Sequence, residues 1–340
     1  MVEAAVIGAG GWGTALAVLL AGKGCRVSLW VRSRDVYKKI ILKRVNEDYL
    51  PGVKLREGIR PTVDLEEALR GKELVIFAVP SHGLRSVAAA AAPFLSPRAV
   101  IVNAAKGLED PRLLRLSQVL QEELPEELHG RIAVISGPNH AEEVSRGLPS
   151  ATVAAAQVPE TALLVQERLM TPYFRVYTNP DLMGVELGGA LKNVIAIGAG
   201  IVEGLGLGDN AKAALVTRGL AEMIRLGRAM GARARTFAGL AGLGDLYATC
   251  SSPHSRNRAV GCKLGQGMRL GEIIAGMRTV AEGVNTTRAA AELSRKAGVE
   301  MPITAEIYRI LFEGKEPRKA AEELMQREKK AESEDIAFEQ

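Results

Sequence analysis

Short apolar runs recur along the first half of the chain, and segments with helical periodicity separate them. The clearest runs lie at residues 2–7, 26–31, 74–79, 100–102, 132–135, 152–156 and 174–177. Strands that alternate with helices in this way are typical of a sheet with helices packed on both faces. The pattern therefore predicts a doubly wound α/β domain.

The pattern changes after the turn-forming residues Asn179-Pro180-Asp181. Beyond them strand signals fade and helical patterns dominate. We therefore predict two domains, an α/β domain over residues 1–180 and an all-α domain over residues 181–340. From about Arg327 the chain is mostly charged and has few apolar anchors, which predicts a frayed tail.

The first apolar run leads into a glycine-rich turn, Gly8-Ala9-Gly10-Gly11-Trp12-Gly13, and then into a helical pattern at 14–20. In this context Gly8 permits the tight turn, Gly10 lets the backbone approach a pyrophosphate, and Gly13 allows close helix packing. The phosphates would lie at the positive end of the helix. Glycines alone more often mark a loop, but strand, turn and helix in this order predict a Rossmann-type dinucleotide site.

The end of the second predicted strand bears on the choice of cofactor. An NAD-selective site usually carries an acid about 20 residues beyond the glycines. Here that place holds Arg32, Ser33 and Arg34, and Asp35 comes slightly late. Because arginine can grip a ribose 2′-phosphate, we expect NADP(H) to be favoured, with NAD(H) as the second candidate. The alternative is that these arginines only solvate a loop.

Composition narrows the class of protein. The chain has 340 residues, 47% hydrophobic and 24% charged, which is enough for two cores. The net charge of +5 is not gathered in a basic run with interleaved aromatics, so we expect no nucleic-acid partner. Cys25, Cys250 and Cys262 lack metal-ligand spacing, and neither a cleavable signal nor a convincing membrane span is evident. We expect a cytoplasmic protein without a bound metal.

Lys192 lies inside an otherwise apolar, glycine-studded helical segment, residues 189–210. Burial among neighbours such as Leu191 and Val194 would lower its pKa and suit it to proton transfer. The alternative is a lysine whose head reaches solvent along an apolar stem. The glycines of this segment allow either close helix packing or a hinge, and the sequence does not choose between them.

Further polar groups follow predicted strands, where an α/β fold usually binds its ligands. Lys106 follows the run at 100–102, and Asn139 follows the run at 132–135. In the second half, Asp245 and Thr249 are four residues apart and so share one face of a helix.

A nearby trio, Ser255-Arg256-Asn257, supplies a hydroxyl, a guanidinium and an amide, which together suit a phosphate. Each of these polar residues also has a structural alternative. Asp245 suits a helix cap, Thr249 a back-bonded helix position, and Arg256 an ordinary surface charge.

Taken together, six segments resemble the signatures of the bacterial-type NAD(P)-dependent glycerol-3-phosphate dehydrogenases. They occur in the same order over nearly the whole chain: GAGGWGTAL, AAKGLE, SGPNHAEE, GALKNVIAIGAGIVEGLGLGDN, GLAGLGDLYATC and SRNR. The resemblance implies interconversion of dihydroxyacetone phosphate and sn-glycerol 3-phosphate with NADPH or NADH, at the entry to glycerophospholipid synthesis.

The resemblance also implies roles for individual residues. Lys192 would be the catalytic acid/base, Lys106 would lie by the substrate and the nicotinamide, and Asp245 matches a substrate position of the family. Our own hypothesis is that both take part in catalysis, Lys106 by stabilising charge and Asp245 by holding the head of Lys192. The implied substrate-binding residues are Lys106, Gly137, Asn139, Asn193, Thr249, Ser255, Arg256 and Asn257. The cofactor-binding residues, including the turn glycines, are Gly8, Gly10, Gly11, Trp12, Gly13, Arg32, Lys106, Ala141, Arg256 and Glu282. Asn139 stands where the family often has serine or threonine, and its amide can still donate and accept.

Two other functions stay open at this point. Another two-domain dehydrogenase, acting on a β-hydroxyacid or on 6-phosphogluconate, would share the glycine turn and a lysine in a helical domain. A nucleotide-sensing regulator could keep the fold without the chemistry, but it would not need Lys192, Asp245 and Arg256 together. We also expect a homodimer, because two-fold symmetry is the commonest.

Overall fold

The computed structural model describes residues 1–277, 281–329 and 331–332. Its residues group into two compact units. The first comprises Met1–Ala105 and Leu116–Leu182, and the second comprises Lys106–Arg115 and the chain from Met183 onward. The second unit therefore takes a short segment from within the first half of the sequence. Most of the tail predicted to be frayed, at 330 and 333–340, lies outside the described residues.

Seven of the twelve strands in the described residues match the apolar runs of the sequence, and the other five were not predicted. The twelve strands are β1 (Glu3–Ile7), β2 (Arg26–Trp30), β3 (Val45–Asn46), β4 (Leu50–Lys54), β5 (Ile59–Thr62), β6 (Leu74–Phe77), β7 (Val100–Asn103), β8 (Leu108–Glu109), β9 (Leu114–Arg115), β10 (Ile132–Ser136), β11 (Ser150–Ala156) and β12 (Phe174–Asn179). Eight of them form the sheet of the first unit, in the order β12-β11-β10-β7-β6-β1-β2-β5. The predicted doubly wound sheet is confirmed.

Neighbouring strands of this sheet run parallel except β10 and β11, which pair antiparallel through Ser136 and Val153. The central strands β1, β6 and β7 are continuous apolar runs because both of their faces are covered. The sequence reading missed β5, since Pro61 argues against a strand. Its position at the sheet edge tolerates the missing N–H.

Helices fill the rest of both units. The first unit contains α1 (Gly11–Gly22), α2 (Arg34–Lys43), α3 (Leu65–Leu69), α4 (Leu84–Ala91), α5 (Leu116–Glu123), α6 (Ala141–Val144) and α7 (Pro159–Leu169). From residue 182 onward the helices are α8 (Leu182–Gly204), α9 (Gly208–Ala229), α10 (Ala234–Phe237), α11 (Asp245–Ser251), α12 (Arg256–Gly265), α13 (Leu270–Ala275), α14 (Glu282–Ala297), α15 (Pro302–Phe312) and α16 (Pro317–Met325). The described part of this segment contains helices and no strand, as predicted.

Helix α8 forms the centre of the second unit. Its length and composition would allow it to cross a membrane, but the whole of its apolar window is buried inside the protein. Leu187, Leu191, Val194 and Ile195 pack in the hydrophobic cluster of this unit. Burial on all sides explains why the helix is apolar all round rather than amphipathic.

Helices α8 and α12 touch backbone to backbone through two pairs of glycines. A Cβ added at Gly200 would lie 2.0 Å from the carbonyl oxygen of Arg258, and one at Gly261 would lie 1.9 Å from that of Ile197. Gly204 and Gly265 show the same close approach, at 2.2 and 2.6 Å. At these positions the glycines serve close packing, which is the small-residue spacing known from tightly crossed helices.

Candidate active site

The second unit holds a buried network of charged side chains around Asp245. Its Oδ1 accepts a hydrogen bond from Lys192 Nζ and its Oδ2 accepts one from Lys106 Nζ, each at 2.6 Å. Lys192 Nζ also donates to Thr249 Oγ1 at 2.6 Å. One carboxylate therefore holds two ammonium groups, with one oxygen for each.

Three chain segments bring these groups together. Lys192 lies in the middle of α8, and Asp245 opens α11 after a widened helical turn over Leu240–Gly244. Thr249 follows one turn later, and its hydroxyl also donates back to the carbonyl of Asp245 at 2.7 Å. Lys106 belongs to the short segment that groups with the helical unit, although in sequence it follows a strand of the sheet.

Burial and neighbouring charges tune this network. Burial lowers the pKa of Lys192 to about 8; the charge of Asp245 opposes that shift and the like charge of Lys106 adds to it. Burial raises the pKa of Asp245, but the two lysines more than offset burial and hold this pKa below its ordinary value. Asp245 is therefore ionised at neutral pH, whereas Lys192 can lose and regain a proton close to neutrality.

Cys250 lies in the same buried region. Burial raises the pKa of its thiol to about 12, so the thiol stays protonated and is a packing group rather than a nucleophile. The described residues contain no group of three or more His, Cys, Asp or Glu side chains that could hold a metal ion.

A second polar chain links three helices beside Lys192. Asn257 Nδ2 donates to Asn193 Oδ1 at 2.8 Å, and Asn257 Oδ1 accepts from the backbone N–H of Gly283 at 2.9 Å. Gly283 directly follows Glu282, the first residue of α14. The predicted residues Asn193 and Asn257 are therefore in direct contact, and Glu282 is the chain neighbour of their backbone partner.

Ser255 and Arg256 lie at the start of α12. Ser255 caps the helix by accepting from the N–H of Arg258 at 3.2 Å, which gives this buried hydroxyl a structural task. Arg256 is exposed at the first position of the helix. An exposed guanidinium next to a helix N-terminus is suited to an anion.

The glycine turn of the first unit has the geometry expected of a dinucleotide site. Gly8 has a φ of +116°, and a Cβ there would lie 2.8 Å from the carbonyl oxygen of Ala78. A Cβ at Gly13 would lie 1.9 Å from the carbonyl oxygen of Gly8, whereas one at Gly10 would meet nothing within 4 Å. The turn therefore packs tightly at Gly8 and Gly13 and leaves free space beside Gly10. Helix α1 begins at Gly11, and its N-cap makes no side-chain hydrogen bond.

The remaining residues predicted for the first unit have varied surroundings. Arg32 is exposed two residues after the end of β2. Ala141 begins α6 beside the turn, because a Cβ at Gly11 would lie 3.7 Å from that of Ala141. Trp12 packs against the core, and its indole N–H is buried without a partner among the described residues.

Gly137 and Asn139 lie between β10 and α6. A Cβ at Gly137 would lie 2.9 Å from the Cα of Thr152, so a glycine is needed for packing there. Asn139 Nδ2 donates to the carbonyls of Pro138 and Ala151 at 3.0 and 2.8 Å. Its Oδ1 is buried and accepts no hydrogen bond from the described residues. These contacts give Asn139 a structural task, and its substrate role stays a prediction.

Sequence reasoning missed two supporting elements. Buried Asn46 braces the glycine turn, since its Nδ2 donates to the carbonyl of Ala9 at 2.9 Å and to Thr14 Oγ1 at 2.8 Å. Arg115 and Glu186 form a buried ion pair in the second unit at 2.6 Å. No local sequence pattern predicts either contact, because the partners are far apart in sequence.

Two family models match most of the chain. The chain matches the family models described as NAD-dependent glycerol-3-phosphate dehydrogenase N-terminus, over residues 3–162, and C-terminus, over residues 181–322.

Individual relatives agree. A protein of Pelotomaculum thermopropionicum is 53% identical over 99% of this chain and 96% of its own length. One of Geobacter metallireducens is 54% identical over 96% of this chain and 98% of its own. Both are named glycerol-3-phosphate dehydrogenase [NAD(P)+]. A crystal structure of glycerol-3-phosphate dehydrogenase from Coxiella burnetii is similar with a TM-score of 0.91 and 40% identity, over 96% of this chain and 99% of that one.

Proposed function

The chain belongs to the NAD-dependent glycerol-3-phosphate dehydrogenase family, and from this premise we propose that it reversibly reduces dihydroxyacetone phosphate to sn-glycerol 3-phosphate. The observation that carries the proposal is the pair of lysines held by the buried carboxylate of Asp245, in a chain that matches both family models along its length. A carbonyl reduction needs a proton donor beside a site for developing negative charge, and this network supplies both.

We propose that the cofactor binds at the glycine turn through Gly8, Gly10, Gly11, Trp12 and Gly13. The fit is good because the space beyond Gly10 is open and the first N–H groups of α1 lack a side-chain cap. Both NADP(H) and NAD(H) fit this turn, in keeping with the names of the relatives. The exposed guanidinium of Arg32 favours NADP(H) by pairing with the 2′-phosphate. When bound, the reduced nicotinamide supplies the hydride.

Lys192 is the proposed proton donor in the reducing direction. Negative charge grows on the substrate carbonyl oxygen as the carbonyl is reduced, and the Lys192 ammonium donates its proton there. In the oxidising direction the neutral amine removes the hydroxyl proton. A pKa of about 8 suits both tasks, since both protonation states are accessible near neutral pH.

Asp245 and Lys106 complete this proposed chemistry. Asp245 stays ionised and fixes the direction of the Lys192 head through the 2.6 Å hydrogen bond. Lys106, held on the other oxygen of the same carboxylate, stabilises charge on the substrate oxygen. Proton transfer and such charge stabilisation each contribute roughly two to three powers of ten in rate.

We propose that the substrate phosphate binds at the start of α12, with Arg256 as the principal cation. Ser255 and Asn257 shape that site. Asn193 and Thr249 contact the hydroxyl groups of the substrate next to the phosphate. Binding a remote phosphate would orient the carbonyl for reaction. Gly137, Asn139, Ala141 and Glu282 keep the supporting roles that the family resemblance implies.

The proposed reaction also has a cellular setting. The substrate is a small molecule, and the product would enter glycerophospholipid synthesis in the cytoplasm. Two-fold symmetry, the commonest in soluble oligomers, is the basis for proposing a homodimer.

A substrate panel tests the reaction against its nearest alternatives. Purified protein would be assayed with NADP⁺ and, separately, NAD⁺ on sn-glycerol 3-phosphate, a β-hydroxyacid and 6-phosphogluconate. We expect turnover of sn-glycerol 3-phosphate only. Turnover of either carboxylate substrate would contradict the assignment, and tight nucleotide binding without any turnover would favour a sensor.

A further inference from the structure

We infer that the buried ion pair between Arg115 and Glu186 is a positioning device that holds Lys106 on Asp245. The inference rests on the proposed function, since it concerns the geometry of the same lysine pair. It assigns to Arg115 and Glu186 a part in the reaction although neither belongs to the network around Asp245.

The path of the chain is the first argument. Lys106 begins the segment Lys106–Arg115, which groups with the helical unit while the residues on either side of it group with the sheet unit. The strands β8 and β9 fold this segment into a hairpin, with Leu108 paired to Arg115. Because Lys106 lies two residues before the first strand of the hairpin and Arg115 ends the second, anything that anchors Arg115 also limits the movement of Lys106.

The anchor at Arg115 is a short, buried ion pair. Its Nη1 donates to Glu186 Oε2 at 2.6 Å, and the two side chains are only 10% and 5% exposed. Glu186 lies in α8, the helix that also carries Lys192. The pair therefore ties the far end of the hairpin to the helix of the other lysine.

Two weaker contacts assist this anchor. Leu108 and Leu113 pack in the hydrophobic cluster of the helical unit. Asp110 pairs with Arg288 of α14 at 3.2 Å, but the arginine side chain is 52% exposed, so this pair contributes little. A buried pair is a costly way to gain stability, whereas its fixed geometry is well suited to specifying one arrangement.

Loosening the hairpin should change the titration of Lys192. The charged and titratable groups that face Lys192 are Asp245 and Cys250 on α11 and Lys106 on the hairpin segment. The thiol of Cys250 stays neutral, so only Asp245 and Lys106 act as charges. If Lys106 moves away, Lys192 loses the repulsion of a like charge, and Asp245 pairs with Lys192 alone. Both changes raise the pKa of Lys192. The alkaline fall of kcat for the reduction should then shift to higher pH.

The test is a mutant cycle in the full chain with dihydroxyacetone phosphate and NADPH. Arg115→Ala/Glu186→Ala removes the pair without leaving one charge buried alone. We expect kcat to fall roughly ten- to hundredfold, as for a misplaced catalytic group. The alkaline fall of kcat should also shift to higher pH, as it should in Lys106→Met. In the Lys106→Met background, removing the pair should lower kcat by less than roughly twofold, since the two changes act through one group.

A matched control pair lies on the surface of the same unit. Arg295 and Glu292 pair within α14 with side chains 73% and 30% exposed, so Arg295→Ala/Glu292→Ala should leave kcat and its pH limb unchanged. If the double variant of the buried pair fails to melt cooperatively, kcat and its pH dependence are measured on Arg115→Lys instead. This variant keeps the charge but loses the reach and planar fork of arginine.

Two results would overturn the inference while leaving the proposed function intact. One is an active wild type in which removing the pair lowers kcat equally with and without Lys106. The other is an alkaline fall of kcat that occurs at the same pH with and without the pair. An inactive wild type would overturn the proposed function, and the inference with it.

Discussion

The glycine crossing of α8 and α12 yields a prediction with a magnitude that follows from the structure. A Cβ at Gly261 would lie 1.9 Å from the carbonyl oxygen of Ile197 and 2.9 Å from the backbone nitrogen of Ile201. Ordinary contact begins near 3.4 Å, so the helices must separate by more than roughly one ångström. Both partners are backbone atoms, and no change of rotamer can relieve the clash.

The expected cost of Gly261→Ala has two parts. Overpacking a tight core costs about 1–3 kcal/mol or more, and the better helix propensity of alanine returns about 1 kcal/mol. Because the clash is with backbone atoms of a second helix, the upper end of the overpacking range applies. The net destabilisation of about 2 kcal/mol should lower the melting temperature by roughly 4–8 °C, at roughly 2–4 °C per kcal/mol. Because α12 carries Arg256 and α8 carries Lys192, the same separation should reduce kcat/KM roughly ten- to hundredfold below the melting range.

Thermal melts and steady-state assays on Gly261→Ala check both parts, with Gly271→Ala as the matched control. Gly271 lies within α13, and a Cβ there would meet nothing within 4 Å. The control should therefore be neutral or up to about 1 kcal/mol more stable, with unchanged activity. If Gly261→Ala melts and turns over like wild type, the crossing does not position the site.

Three further predictions concern the chemistry. The kcat for reduction should fall as pH rises through about 8, because Lys192 must be protonated, and the kcat for oxidation should rise over the same range; pH-independent profiles would contradict this. Arg256→Ala should raise the KM for dihydroxyacetone phosphate roughly tenfold or more with a smaller change in kcat, and an unchanged KM would remove Arg256 from the phosphate site. Arg32→Ala should raise the KM for NADPH and leave that for NADH unaltered, whereas equal effects on both would refute the 2′-phosphate contact.

The sequence predicted the sheet well because its central strands are buried on both faces and read as unbroken apolar runs. It missed β5 because the edge position, which makes Pro61 acceptable, is a property of the whole sheet. It likewise left the role of the glycines after Lys192 open. The close approach of Gly200 to Arg258 depends on a second helix that no local pattern reveals.

The residue types of the candidate site were predictable, but the contacts between those residues were not. Spacing placed Asp245 and Thr249 on one helical face, and both do contact Lys192. Spacing could not show that Asp245 also binds Lys106, or that Lys106 groups with the helical unit. The pair of Arg115 and Glu186 was invisible for the same reason, since each residue alone resembles an ordinary charge in its element.

Proton transfer by Lys192 is the step on which the proposed chemistry depends. Its most direct test compares wild type with Lys192→Met in the dihydroxyacetone phosphate-dependent oxidation of NADPH, with NADPH affinity measured separately by fluorescence titration. We expect the variant to bind NADPH as tightly as wild type and its kcat to fall roughly a hundredfold or more. A variant with wild-type kcat would contradict the assignment.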